Sequence, residues 1–113
     1  MELGPFYTGQ VPREPLTMIV RDSFTDRAVD LSQYSSAVAV FQDPNEELVL
    51  NGDTGEWPAE IVEGGSGEVR IPLETSPFRS VGDHRLQVVL RDADNAEDIT
   101  SVATFEVYRK LGG

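Results

Sequence analysis

"HRLQVVLRD", residues 84–92, carries the clearest alternation in the chain. Leu86, Val88 and Leu90 fall on one side of an extended backbone, and Arg85, Gln87 and Arg91 on the other, because successive strand side chains point to opposite faces. The stretch therefore predicts a half-buried β-strand. "DITSVATFEVY" (98–108) repeats the device. Ile99, Ser101, Ala103, Phe105 and Val107 are expected on one face, with Thr104, Glu106 and Tyr108 opposite.

Working outward, short extended segments recur between turn signals. "LTMIVRD" (16–22) is apolar and β-branched, and "AVAVFQ" (37–42) reads as a strand buried at the centre of a sheet. "DPN" (43–45) turns it into "EELVL" (46–50), and Asn51-Gly52 is a hairpin signal. "EWPAEIVE" (56–63) follows, with Pro58 suited to an edge or a bulge. "GGSG" (64–67) is a turn before "EVRIPL" (68–73), and "TSPFRSVGD" (75–83) is a loop. Seven strands at this spacing, with no helical period, predict an all-β, immunoglobulin-like antiparallel β-sandwich. It lacks the usual cysteine pair, and Trp57 lies outside the position of the usual core tryptophan.

Residues 1–15 differ from the rest. Pro5, Pro12 and Pro15 with Gly4 and Gly9 exclude a regular helix or a central strand. Leu3, Phe6, Tyr7 and Val11 are nevertheless apolar or aromatic. Two readings stand: a segment folded back along its own domain, or an extended arm that docks on a partner through these four residues. The expected organisation is an extended N-terminal arm (1–15), the sandwich (16–109) and a short tail (110–113).

Twenty acids against nine bases leave a net charge of −11. Such a surface repels phosphate backbones and anionic lipid, so neither nucleic acid nor a membrane is an expected partner. With no cysteine there is no disulfide framework and no thiol chemistry. The start has no basic region followed by an apolar run, so no secretory signal is read there.

Few residues suggest chemistry. "RDADNAED" (91–98) is rich in acids, but a calcium loop started at Asp92 would place Ala96 at its fifth position, Glu97 at its sixth and Ala103 at its twelfth. The pattern needs an oxygen ligand, a glycine and a bidentate acid there. An irregular site from Asp92, Asp94, Asn95 and Asp98 stays open beside the better reading, a hairpin tip. His84 beside Asp83 is half of a triad without a nucleophile, and reads as a strand-end surface residue. Glu46 and Glu47 point to opposite faces of a strand and cannot share a substrate. "GGSG" lacks the lysine and spacing of a phosphate loop. Trp57, Tyr34, Phe24 and Phe78 are candidates for stacking on a sugar, though packing is the commoner use of such rings. No enzyme, catalytic residue, metal or cofactor is expected.

The layout "PLTMIVRDSFTDRAVDLSQYSSAVAVFQDPNEE", then "GEVRIPL", "VGDHRLQVVLRDADN" and "FEV", resembles an immunoglobulin-like domain of tailed-phage structural proteins, including one at the N-terminus of phage baseplate upper proteins. The matching positions are Asp22, Asp30-Leu31-Ser32, Gly82, Leu86 to Leu90, and Ala93-Asp94-Asn95, within roughly residues 15–108. Asn95 departs from the family's glycine, and the chain stops at Gly113 where baseplate relatives continue. The resemblance implies a non-enzymatic bacteriophage virion protein of capsid, neck, tail or baseplate, assembled in the host cytoplasm. It would dock on other phage structural proteins and on copies of itself as a homo-oligomer. The alternative is a carbohydrate- or cell-surface-binding sandwich.

Overall fold

The computed structural model describes residues 4–21, 24–25, 27–62, 67–100 and 102–111. Its strands are β1 (Phe6–Tyr7), β2 (Leu16–Ile19), β3 (Tyr34–Gln42), β4 (Trp57–Ile61), β5 (Glu68–Ile71), β6 (Gly82–Asp92), β7 (Glu97–Ile99) and β8 (Ala103–Tyr108). They follow one hydrogen-bonded path, β1-β8-β6-β3-β4-β5-β2, with β7 also on β6. The path curls over at β4. Trp57 to Ala59 pair with β3, whereas Glu60 and Ile61 pair with β5, so β4 belongs to both layers of an immunoglobulin-like β-sandwich.

The alternation in β6 is a packing pattern. His84, Leu86, Val88 and Leu90 point into the core, as do Ala37, Ala39 and Phe41 of β3. Ala103, Phe105 and Val107 of β8, paired to the other edge of β6, point into the core beside them. Leu16 and Met18 of β2 and Val69 and Ile71 of β5 close the core from the second layer. Phe105 is its hub. Its ring meets Phe6 at 5.4 Å, Phe78 at 5.5 Å and Phe41 at 6.2 Å, each edge to face, the arrangement that ring quadrupoles favour.

Two strand expectations are corrected. The run 98–108 is not one strand. Leu86 pairs with Ala103 and Val89 with Ile99, so two residues of β6 oppose three between Ile99 and Ala103. That extra residue is a β-bulge, and it reverses the facing of everything before it. Ile99 is accordingly 62% exposed, while Ala103, Phe105 and Val107 are buried. Thr100 fills the irregularity: its N–H donates to Val88 O, and its Oγ1 accepts from Val88 N–H, both at 3.0 Å. Ser101 lies outside the described residues.

The run 46–50 forms no strand, only an isolated bridge between Leu48 and Gln42. β4 already occupies β3 at Ala37–Ala39, which leaves the returning chain two backbone bonds near the turn, Val49 N–H to Phe41 O at 2.9 Å and Asp43 N–H to Glu47 O at 2.8 Å. Gly52 alone takes a positive φ in the next turn, closed by Asn51 N–H to Thr54 O at 2.7 Å.

Two turns share one geometry. After β3, Asp43 Oδ1 accepts the N–H groups of Asn45 and Glu47, and Glu46 has φ 65°. After β6, Asp92 Oδ1 accepts those of Asp94 and Ala96, and Asn95 has φ 63°. Each is a three-residue hairpin tip ending in a left-handed residue, a place that favours Gly or Asn. The acidic stretch 91–98 is thus the tip between β6 and β7. Gly82 is needed for contact as well as conformation: a Cβ there would lie 2.8 Å from Pro44, and its φ is 131°.

Candidate functional site

Of the four arm residues expected to meet a partner, Phe6 is taken up by the protein's own core. Phe6 is a core residue: its ring stacks on Phe78 at 4.4 Å and 7°, and β1 pairs in parallel with β8. Thr8 N–H donates to Tyr108 O, and Gly9 N–H to Phe78 O. The segment is folded back along its own domain from Phe6 onward. Tyr7 and Val11 are 47% and 46% exposed, and Leu3 lies outside the described residues, as do Asp22, residues 64–66 of the glycine-rich turn and residues 112–113.

His84 is also corrected. It is wholly buried, lying against Phe105 at 5.5 Å, with Nδ1 3.2 Å from Gly82 O and Nε2 without a partner. It starts a strand in sequence, but Phe105 of β8 covers it in space. A buried ring is not available to a substrate or to an incoming ion. Among the described residues no group of three or more His, Asp or Glu is placed to hold a metal.

The candidate sugar-stacking rings fare no better. Trp57 is a core residue, edge to face with Phe41 and donating Nε1–H to Val49 O at 3.0 Å. Phe78 is buried too. Tyr34 is half-buried, and Phe24 is 96% exposed.

A site arises where β4 changes layers. The β3–β4 ladder ends at Ala37 opposite Ala59. Beyond it Tyr34–Ser36 keep β6 on one side, and Glu60–Ile61 keep β5 on one side. The two facing edges diverge and have no strand between them among the described residues. Pro58 sits just before the divergence, where the ladder is about to run out, and this is why a proline is tolerated in a strand with neighbours on both sides. The resulting cleft has a volume of about 590 Å³, within the usual range of ligand pockets. Leu31, Ala37, Ala59 and Ile61 form its apolar wall, and Ser32, Ser35, Ser36 and Glu60 its polar mouth.

The electrostatics of this end are acidic. Tyr34 OH donates to Asp98 Oδ2 at 2.5 Å, and this bond, helped by burial, raises the phenol above its ordinary value. Ser32 N–H donates to Asp30 Oδ1 at 2.9 Å and holds that carboxyl below its ordinary value. Among the described residues no Lys or Arg lines the cleft. The nearest guanidiniums in register are already engaged. Arg70, opposite Glu60, pairs with Glu68 at 3.0 Å. Arg91, opposite Ser36, bonds Glu97 and Glu56, both at 2.9 Å, and is raised by them. A second cleft, of about 450 Å³, lies near Asp83, Arg85 and Glu106. Its floor is β6 paired to β8, so it offers no open strand edge.

The sequence reading missed the seam. Its local trace is the polar start of "YSSAVAVFQ" and Pro58, but the divergence itself is a relation between distant segments.

No protein-family model and no curated protein matches the chain. Among solved structures it is similar to CopC from Methylosinus trichosporium OB3b, with a TM-score of 0.50 and 12% identity over 96% of this chain and 88% of that one. At that identity the likeness concerns the fold, and it agrees with the β-sandwich. The finding points to CopC rather than to a tailed-phage protein. The expectation of a bacteriophage virion component is thereby overturned and is withdrawn, together with its sugar-binding alternative, two of whose four rings, Trp57 and Phe78, are buried in the core.

Proposed function

We propose that this chain is a non-enzymatic binding domain whose ligand is a polypeptide segment held at the seam between β3 and β4. One observation carries the reading: two diverging strand edges wall an apolar-lined cleft of about 590 Å³, with no strand between them among the described residues. Backbone donors and acceptors at an open edge are most readily satisfied by another extended chain, and the adjoining pocket gives side-chain selection. The remaining chemistry supports the same reading. The one imidazole is buried against Phe105, the chain has no cysteine, and the −11 charge disfavours nucleic acid and anionic membranes.

The test is an array of random twelve-residue peptides probed with the labelled protein. A defined subset should bind and be competed by unlabelled protein. Uniform absence of binding would remove the proposal.

A further inference from the structure

Resting on that reading, we infer that the ligand is a cationic extended segment, with Lys or Arg alternating with small apolar residues, which adds as a strand to the open edge of β3 at Tyr34–Ser36.

Three features converge. The first is the edge itself, bounded on its far side by Glu60–Val62 rather than by a paired strand. The register shifts between Tyr34 and Ser36, and Tyr34 N–H is already given to Leu31 O, so the open stretch spans at most roughly 10 Å at ~3.3 Å per residue and the recognised core is short. The second is polarity. Leu31, Ala37 and Ile61 present an apolar wall, whereas Ser35, Ser36 and Glu60 are exposed at the mouth. A strand has period two, so one set of side chains can enter while the alternate set meets the mouth. The third is charge. Glu60 is exposed at the mouth, with Asp30 and Asp98 at the same end, and Arg70 and Arg91 are held by other acids. An incoming cation therefore meets unneutralised carboxylate, and an incoming anion meets repulsion added to the net −11.

The experiment is a fluorescence-anisotropy titration of the full chain with Lys-Val-Lys-Val-Lys-Val-Lys. Its comparison probes are the same peptide N-methylated at every second residue, and a Glu-Val counterpart. Saturable binding of the first is expected, with at least roughly tenfold weaker binding of each comparison peptide. Glu60→Lys, an exposed change that should leave the melting temperature in place, is expected to weaken the Lys-Val peptide by a similar factor. Ile99→Asp, on the outer face of the β3–β6–β7 sheet and two strands from the cleft, should leave it unchanged.

Equal binding of the N-methylated peptide would reduce the effect to charge attraction and overturn strand addition. Loss in Ile99→Asp but not in Glu60→Lys would move the site to the outer face and overturn the assignment. If peptides on the random array bind while the Lys-Val peptide does not, the cationic inference fails and the broader proposal survives. If the array itself is blank, the broader proposal has failed first.

Discussion

The two ends of β3 are built from one strand and serve opposite purposes. From Ala37 to Ala39 it is paired on both sides, and just beyond, Phe41 points inward to meet the rings of Trp57, Phe78 and Phe105. From Tyr34 to Ser36 it is paired on one side only, and its other edge faces a cleft. The closed end stores most of the aromatic burial. The open end leaves backbone and apolar surface unspent, which is the condition for binding something else. A fold can leave one seam open only where the rest is closed tightly enough to hold it.

The largest expected effect breaks the closed end. Phe105→Ala removes the ring shared by Phe6, Phe41, Phe78 and His84, and should cost about 3–5 kcal/mol in chemical denaturation. Ile61→Ala, in the half-buried wall of the seam, should cost much less, about 1 kcal/mol. Equal losses would mean that the seam is as well packed as the core.

Next comes the folded-back N-terminus. Phe6→Ala should lower stability by roughly 2–4 kcal/mol because its ring stacks on Phe78. Tyr7→Ala, at an exposed position of the same two-residue strand, should stay within about 1 kcal/mol. Matching small effects would restore a free arm.

The two hairpin tips give a smaller, signed comparison. Glu46 and Asn95 hold the same left-handed conformation, which costs an ordinary side chain about 1 kcal/mol and asparagine less. Glu46→Gly should therefore raise stability by about 0.5–1 kcal/mol, and Asn95→Gly by only a few tenths. A loss at Glu46 would show that its side chain makes a contact worth more than the relieved backbone.

The smallest effect is a pH dependence at the open end. The bond to Asp98 raises the Tyr34 phenol above its ordinary value of 10.0. A folded value above the unfolded one means that the bond's contribution is complete below about pH 10 and fades as pH climbs through the folded value. Tyr34→Phe should remove the bond's small contribution at neutral pH and, with no phenol left to ionise, flatten the alkaline limb of stability measured between about pH 9 and 11. An unaltered alkaline limb would show that the bond is not kept in solution.

What could be read in the sequence was whatever is periodic. β6 and β8 bury one face, so their composition alternates, and the sandwich follows from repeating that signal. Relations between strands left no such trace. Nothing in "DITSVATFEVY" reveals that Thr100 to Val102 oppose only two residues of β6, so Ile99 was placed on the wrong face. "EELVL" has strand composition, but β4 reached the β3 edge first. His84 has a surface residue's chemistry, yet Phe105 covers it. The seam is the same kind of fact, a parting of two strands set by where β4 finds β5. Its partial signature, Pro58 and the serines of β3, becomes meaningful only once the neighbours are known.

The most direct measurement is an isotope-edited nuclear Overhauser spectrum of the ¹⁵N,¹³C-labelled chain with the unlabelled Lys-Val peptide. The account requires peptide backbone protons close to those of Ser35 and Ser36, and peptide valine methyls close to Leu31 and Ile61. Contacts confined to Val38, Val89 and Ile99 on the outer face, or none to the β3 edge, would contradict it.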